Sequence, residues 1–557
     1  MADRMDNLLS QMGTGKWHIF HYLTVCYSVS FPSPHALGSA FLAPRQDHTC
    51  VAPLGAEENS FDSADKGSCY YSSRGENGTF TQKACTEWIF DNTTFTHTIT
   101  SEFGLVCEKE YLRATYQSMY MLGVLVGSPI NGLLADRYGR KTVFVTGAAL
   151  FALMAIVSSW MPNISSILLF RFLLGTMHPT LLKTGYILAV EITDPKLRSL
   201  VGVIYFLPWA LGTMAWGGLA YLVRSWRWLQ FCASLPCLLL MPALWFVDES
   251  PRWLSVRGQH ERALEVIKKA ARWNKTVIPS DEELMCIFKE SQDKVKVEEV
   301  KEDEKEHSLK TVFQDFIKAT FILYRTPRLC FVSAIMHLDF FVFGMVYFGL
   351  ALSGSNFKSD AFVYMVLMGL MEVPGCTIMG ALISRFGRKI PICLSLLVTG
   401  VVLLGLPFLP SEIQWLVVAF AMLGKMTITM SFQAGNLFGS ELFPTEVRTR
   451  GLSTSFMLSR VGSSISPFIT EFLGVAYPWA PSVIFGASAI VAGIATLTLW
   501  ETLHMALPDT VMQMESKDFK VPERFLPFKI ASRERGKNSD VVCKEESVPL
   551  KMKHENL

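Results

Sequence analysis

Five long apolar stretches of this chain carry an ionisable side chain where a lipid-facing residue would be aliphatic: Lys183, Asp339, Glu372, Lys425 and Arg460. A charge at the centre of a membrane-crossing helix costs at least ~2.5 kcal/mol, so such a residue meets a partner or lines a water-filled cavity. As a group they point to a solute site; the structural alternative is a buried pair linking helices, such as Glu372 with Lys425. Arg460 carries the most information. A guanidinium holds a carboxylate through two parallel hydrogen bonds and stays charged at any working pH. The chemistry implied is recognition of a small organic ion, not bond making. The patterns H-x-x-x-H, C-x-x-C, G-x-S-x-G and G-x-x-x-x-G-K-S/T are absent from the sequence, so the chain calls for no enzymatic step, metal, cofactor or ATP-driven pump.

The elements that must position these residues follow from composition. The chain has 557 residues, 50% hydrophobic and 18% charged, with a positive mean hydropathy. Its apolar runs of about 20 residues are long enough to cross the ~30 Å hydrocarbon layer as helices. A formal charge of +2 with no basic patch gives no reason to expect nucleic acid; the expected partners are the bilayer, a small organic ion and a counter-substrate or co-transported ion. Internal repetition orders the runs. GLLADRYGRK at 132–141 matches GALISRFGRK at 380–389, EITDPKLR at 191–198 matches ELFPTEVR at 441–448, and Glu249 and Glu501 close the sixth and twelfth runs. Ordered matches at nearly one offset mean a duplicated unit, and duplicated membrane halves are typical of secondary transporters, whose site lies between the halves.

The expected division is a cytosolic N-terminus (1–16), an N-terminal six-helix half (17–248) with a large loop at 44–110, a cytosolic central segment (249–327), a C-terminal six-helix half (328–500) and a cytosolic tail (501–557). Span 1 is expected at about 17–41, kinked at Pro32 and Pro34. Spans 2 to 6 fall near 111–135, 142–161, 167–191, 199–221 and 226–248; spans 7 to 12 near 328–352, 360–384, 389–409, 413–440, 449–475 and 478–500. The loop 44–110 holds five basic and eleven acidic residues, Cys50, Cys69, Cys85 and Cys107, and the glycan acceptors Asn77 and Asn92. Two disulfides, of open connectivity, and an extracellular or lumenal face are expected there. The inner loops 136–142 and 384–389 carry excess positive charge, which places both termini inside; the plasma membrane is the expected location. In the central segment, Glu261 to Trp273 has helical periodicity.

The motifs now identify a resemblance. GLLADRYGRK and SRFGRK look like the loop 2–3 and 8–9 motifs of the major facilitator superfamily. Within it, TSEFGLVC before span 2, DESPRWLSVRG after span 6, ELFPTEVRTRG after span 10 and ETLHMALPDT after span 12 resemble the organic cation, anion and carnitine transporter family of solute carriers, over about residues 15–510. The resemblance implies an all-α membrane fold of twelve transmembrane helices in two six-helix halves rocking around a central site. It also implies a cytosolic charge network, formed by Asp136, Arg137, Arg140, Glu191 and Arg198 in one half and Arg388, Glu441 and Arg448 in the other, that latches the halves when the carrier faces outward. Asp136 is expected to cap a neighbouring helix N-terminus. Its counterpart in the second copy is Ser384, so the network should be asymmetric.

For the site, SRVGSSISP around Arg460 is similar to the family's anion and carnitine branches, whereas MEVPG around Glu372 is similar to its cation and carnitine branches. A carboxylate-bearing anion or a carnitine-like zwitterion is therefore expected, with an organic cation or a sugar-like solute as rivals and a non-transporting receptor as the reading of another class. By resemblance, Tyr347, Phe348 and Phe432 match cavity-facing aromatic positions, and Trp209, His35, Lys183 and Tyr186 are further matches.

Overall fold

The computed structural model describes residues 4–516 except 52–60, 63–66, 68, 75–79, 300–320, 355–358, 411–412, 504 and 506–507. Nine of its helices are long and apolar enough to cross a membrane, among the described residues. Spans 1, 5 and 11 fall outside that count for visible reasons. Span 1 is three pieces, Lys16–Val29, Pro32–Ala36 and Ser39–Leu42, because Pro32 and Pro34 cannot donate to the helical ladder. Span 5 breaks between Arg198–Ile204 and Leu207–Leu222, the second piece restarting with Pro208 in its first turn. Span 11, Arg448–Phe468, is a polar helix rich in Ser and Arg that continues into a π-helical turn, Ile469–Leu473. Span 4 also contains a π-helical turn, Thr180–Thr184, directly after Pro179.

Two accessory structures flank the bundle. The 44–110 segment forms a two-stranded antiparallel pair, β1 (His48–Cys50) with β5 (Trp88–Phe90), and a three-stranded sheet of β2 (Phe61–Asp62), β3 (Tyr70–Arg74) and β4 (Phe80–Ala84). Disulfides join Cys50 to Cys85 and Cys69 to Cys107. Asn92 is exposed there; Asn77 lies outside the described residues. We call this the loop end of the bundle. At the opposite, motif end, helices Pro251–Val256, His260–Asn274 and Asp281–Glu299 pack under the first half. The N-terminal residues are not merely polar. They form a helix, Arg4–Met12, whose Met5, Leu8 and Met12 are buried with Ile192, Trp253, Leu254, Leu284 and Phe288. Asp6 receives both Arg198, at 2.6 Å, and Arg252, and Ser10 donates to Asp194 at 2.8 Å, which holds that carboxyl below its ordinary range.

The two repeats are rebuilt as one local device. The glycine of each Gly-Arg-Lys run has positive φ, 102° at Gly139 and 85° at Gly387, and a Cβ at either position would collide with the carboxylate of Glu249 or Glu501. Those carboxylates accept from the amide of Lys141 at 3.0 and 3.1 Å, and from those of Arg388 and Lys389 at 2.9 and 3.0 Å. They occupy the positive ends of spans 3 and 9. The expectation that Asp136 caps a helix is therefore corrected. Asp136, in the last turn of span 2, is largely exposed and pairs with Arg140 at 3.0 Å, and the start of span 3 has no side-chain cap from it.

Candidate functional site

The buried charges of the second half meet the first half through one aromatic side chain. Lys425 of span 10 (Gln414–Leu442) lies 3.0 Å from Glu372 of span 8 (Ala361–Phe386), with side-chain exposures of 1% and 8%. Its ammonium also stands 2.9 Å from the centroid of the Tyr347 ring on span 7 (Pro327–Leu352), a cation–π arrangement that replaces lost hydration. The Tyr347 hydroxyl donates to Glu372 and accepts from Trp209 Nε1 at 2.9 Å. Trp209 sits in the first turn of the second piece of span 5, so this hydrogen bond crosses between the halves. Its indole then meets His178 edge-on at 6.0 Å, and His178 Nδ1 is 2.8 Å from the Tyr120 hydroxyl of span 2. The result is a continuous belt across the middle of the molecule: Tyr120, His178, Trp209, Tyr347, Glu372, Lys425.

Arg460 of span 11 completes the belt. It interacts electrostatically with Tyr120 and Tyr347, and with His178 and Lys183. Its side chain is half-buried. Among the described residues no carboxylate lies within ion-pair distance of its guanidinium, which also makes no hydrogen bond. Lys183, on the π-helical turn of span 4, is exposed and lies 4.9 Å over the ring of Phe456 from span 11. Phe432 faces Phe343 and Tyr347 at 5.8 and 6.4 Å, and Tyr186 packs on Tyr205 and Phe206. Aromatic walls with few fixed charges are the usual lining of a small-molecule site.

Three expected site residues lie elsewhere. His35 is 2% exposed, edge-on to Phe151 at 5.2 Å and 3.4 Å from Ser234; the break after Val29 turns it into the first half. Its carbonyl accepts from Arg171 at 2.7 Å, whose guanidinium lies over Tyr116 and Tyr120 at 4.3 and 4.5 Å. Phe348 is 4% exposed and packs edge-on to Tyr347, one helical step away from the belt. Asp339 is two turns from Tyr347 and bonds Thr496 of span 12. Tyr120 and His178 are the additions. Neither carries a signal in the sequence, since each acquires meaning only from a neighbouring helix.

At the loop end the halves are joined. Arg113 of span 2 (Tyr111–Tyr138) pairs with Glu471 of span 11, Ser118 donates to the carbonyl of Ser464 at 2.6 Å, and Phe41 stacks on Phe362 at 5.3 Å. At the motif end the described ion pairs of the repeats stay within one half. Arg140 binds Asp136 and Glu191, the latter at 3.3 Å, Arg388 binds Glu441 at 2.8 Å, and Arg198 is taken by Asp6. Arg448 bonds Thr445 at 3.0 Å, and Arg137 lies over the adjacent Tyr138 ring at 5.5 Å. Arg140 thus meets two carboxylates and Arg388 one. In this structure these residues do not latch half to half.

Comparison with known proteins places this geometry. A family model described as sugar (and other) transporter matches residues 72–509. An organic cation transporter protein of Drosophila melanogaster is 31% identical over 533 residues, covering 92% of this chain and 94% of its own. Solute carrier family 22 member 6-A of Xenopus laevis is 31% identical over 539 residues, again with 92% and 94% covered. Among solved structures, the inward-open conformation of the E. coli xylose transporter XylE aligns with 88% of this chain and 97% of its own at a TM-score of 0.58; at 14% identity that likeness concerns the fold.

Proposed function

This chain belongs to the sugar (and other) transporter family of the major facilitator superfamily, alongside the organic cation and anion carriers, and from that premise we propose that its cargo is a small organic ion bearing a carboxylate. One observation carries this reading. Arg460 stands unpaired in the belt beside Lys183, whereas the negative charge of Glu372 is already matched by Lys425. Among the described residues neither cation has a counter-ion, so an incoming anion supplies what the site lacks. A carnitine-like zwitterion is the second form of the same reading; its cationic group would have to draw Glu372 away from Lys425.

The cycle we propose is alternating access. The halves rock about the belt, with the loop end extracellular and the motif end and both termini cytosolic, in the plasma membrane. The present form, joined at the loop end through Arg113 and Glu471, corresponds to the inward-facing limb, and the motif residues Arg140, Arg198, Arg388 and Arg448 would exchange partners across the halves in the other limb. The test is uptake of a labelled aromatic carboxylate, a carnitine-like zwitterion and a quaternary amine by cells expressing the chain. Losing a charge-assisted bidentate contact worth ~1.5–3 kcal/mol should make Arg460→Ala about 10- to 100-fold weaker for carboxylates. An unchanged carboxylate preference in that variant refutes the assignment. Uptake of none of the three, with surface expression confirmed, favours a receptor.

A further inference from the structure

Away from the belt, the second half buries a carboxyl group that the cargo site does not use. Asp339 is 2% exposed, and eight residues separate it from Tyr347, about 12 Å along span 7. Its Oδ2 accepts from Thr496 Oγ1 at 2.8 Å. Its Oδ1 is enclosed and has no hydrogen-bond partner. Among the described residues no basic nitrogen lies within ion-pair distance of either oxygen.

The groups around it are accounted for. Cys393 of span 9 is 2% exposed and interacts electrostatically with both Asp339 and Lys389. Lys389, one turn from Cys393, is 5% exposed and has no carboxylate within ion-pair distance among the described residues; nearby Glu501 is engaged by backbone amides. His337, beside Asp339 in sequence, is held by Tyr324 and Thr454. The cations of spans 10 and 11, Lys425 and Arg460, belong to the belt. An acid and a base, both buried and neither in an ion pair among the described residues, therefore flank one thiol near the motif end of the second half.

An ionised carboxylate in this position would be a buried charge without a counter-ion, whereas a neutral acid leaves only one oxygen unmet. We propose that Asp339 is a proton-binding site coupled to the transport cycle. In the present form it carries the co-transported proton. Release breaks the O–H bond, passes the proton to water at the motif end and leaves the electron pair on the carboxylate, which Lys389 then neutralises. A proton fits the site better than sodium, because Asp339 and Thr496 offer three oxygens and a hard metal cation gathers about six. The coupling rests on the transport reading; the protonation of Asp339 does not.

Two measurements test it on the full chain. Infrared spectra of the purified protein in lipid nanodiscs at neutral pH should contain the stretch of a protonated carboxyl group that disappears in Asp339→Asn, an isosteric variant that keeps the neutral shape. In proteoliposomes held at zero membrane potential, an inward proton gradient should raise wild-type uptake several-fold, while Asp339→Asn still exchanges cargo but ignores the gradient. The gradient assay is run with the carboxylate, the zwitterion and the amine, so coupling is read with whichever enters. Entry of the amine alone would overturn the cargo assignment and leave the coupling measured. The proposal is overturned if the wild type lacks the carboxyl band, if sodium and not protons drives uptake, if Asp339→Asn keeps the proton dependence, or if no probe responds to the gradient.

Discussion

Replacing Glu471 by Gln tests whether charge holds the loop end of the bundle shut. Arg113 is 2% exposed there and Glu471 21%, and the pair bridges span 2 of one half and span 11 of the other. Removing one partner of a fully buried pair costs ~3–5 kcal/mol, chiefly because the remaining charge is left uncompensated. Two features reduce that figure here. Glu471 retains some access to water, and Glu110 remains 3.2 Å from Arg113 as a second carboxylate. A penalty of about 2 kcal/mol therefore survives. In a form open at the loop end both side chains are hydrated, so the penalty falls on the closed form alone. The closed-to-open ratio should drop about 30-fold. Spin labels at the loop ends of spans 2 and 11, read by double electron–electron resonance in nanodiscs, should report a new long-distance population in Glu471→Gln. The exchange Arg113→Glu with Glu471→Arg should return part of the short one. An unchanged distance distribution in a variant that melts like the wild type refutes the argument.

Other outcomes follow from single residues. Lys425→Ala should free Glu372 and raise the ratio of quaternary-amine to carboxylate uptake about tenfold, the equivalent of ~1.4 kcal/mol; a ratio that stays flat means the pair does not set charge preference. Glu501→Ala removes the acceptor for the amides of Arg388 and Lys389, so the purified protein should lose ~1–2 kcal/mol of stability and melt about 1–2 °C lower. Asp194 is held below its ordinary range by Ser10, so its contribution to docking the N-terminal helix is present above the unfolded Asp value of ~3.9 and fades as pH falls through the lower folded value. The protection of the amides of residues 4–12, after correction for the pH-dependent intrinsic exchange rate, should accordingly fall in acid and stay constant between pH 6 and pH 8.

Much of the architecture was legible because it rests on long periodic signals. Apolar length located the spans, and the paired Gly-Arg-Lys runs located the repeat. The prolines of span 1 marked its break. The N-terminal helix escaped because its average is polar, although Met5, Leu8, Leu9 and Met12 follow the one-sided spacing of a docked helix. Glu249 and Glu501 served only to count the repeat, since a side chain capping a helix more than a hundred residues away leaves no local pattern. At the site, charge in an apolar run singled out Lys425, Glu372 and Arg460, which are buried or half-buried, and offered the Glu372–Lys425 pair as an alternative to a solute role without deciding between the two. Asp339 looked equivalent to them in sequence; helix phase and two extra turns took it to a different neighbourhood. His35 was displaced by a different cause, a break whose angle no motif encodes.

The bond from Trp209 to Tyr347 has a kinetic meaning. It fixes the hydroxyl that orients Glu372, and through it Lys425, to a residue of the opposite half. Any motion that parts the halves at mid-depth must break it, so the Glu372–Lys425 pair is not held in one form of the molecule as it is in the other. With no ion gradient across the membrane, a carrier of this kind reaches the same final distribution from either side, as thermodynamics requires, but with unequal half-saturation concentrations and maximal rates for entry and exit. Unequal maximal fluxes in the two directions, visible only at saturating cargo, are then written into one indole nitrogen.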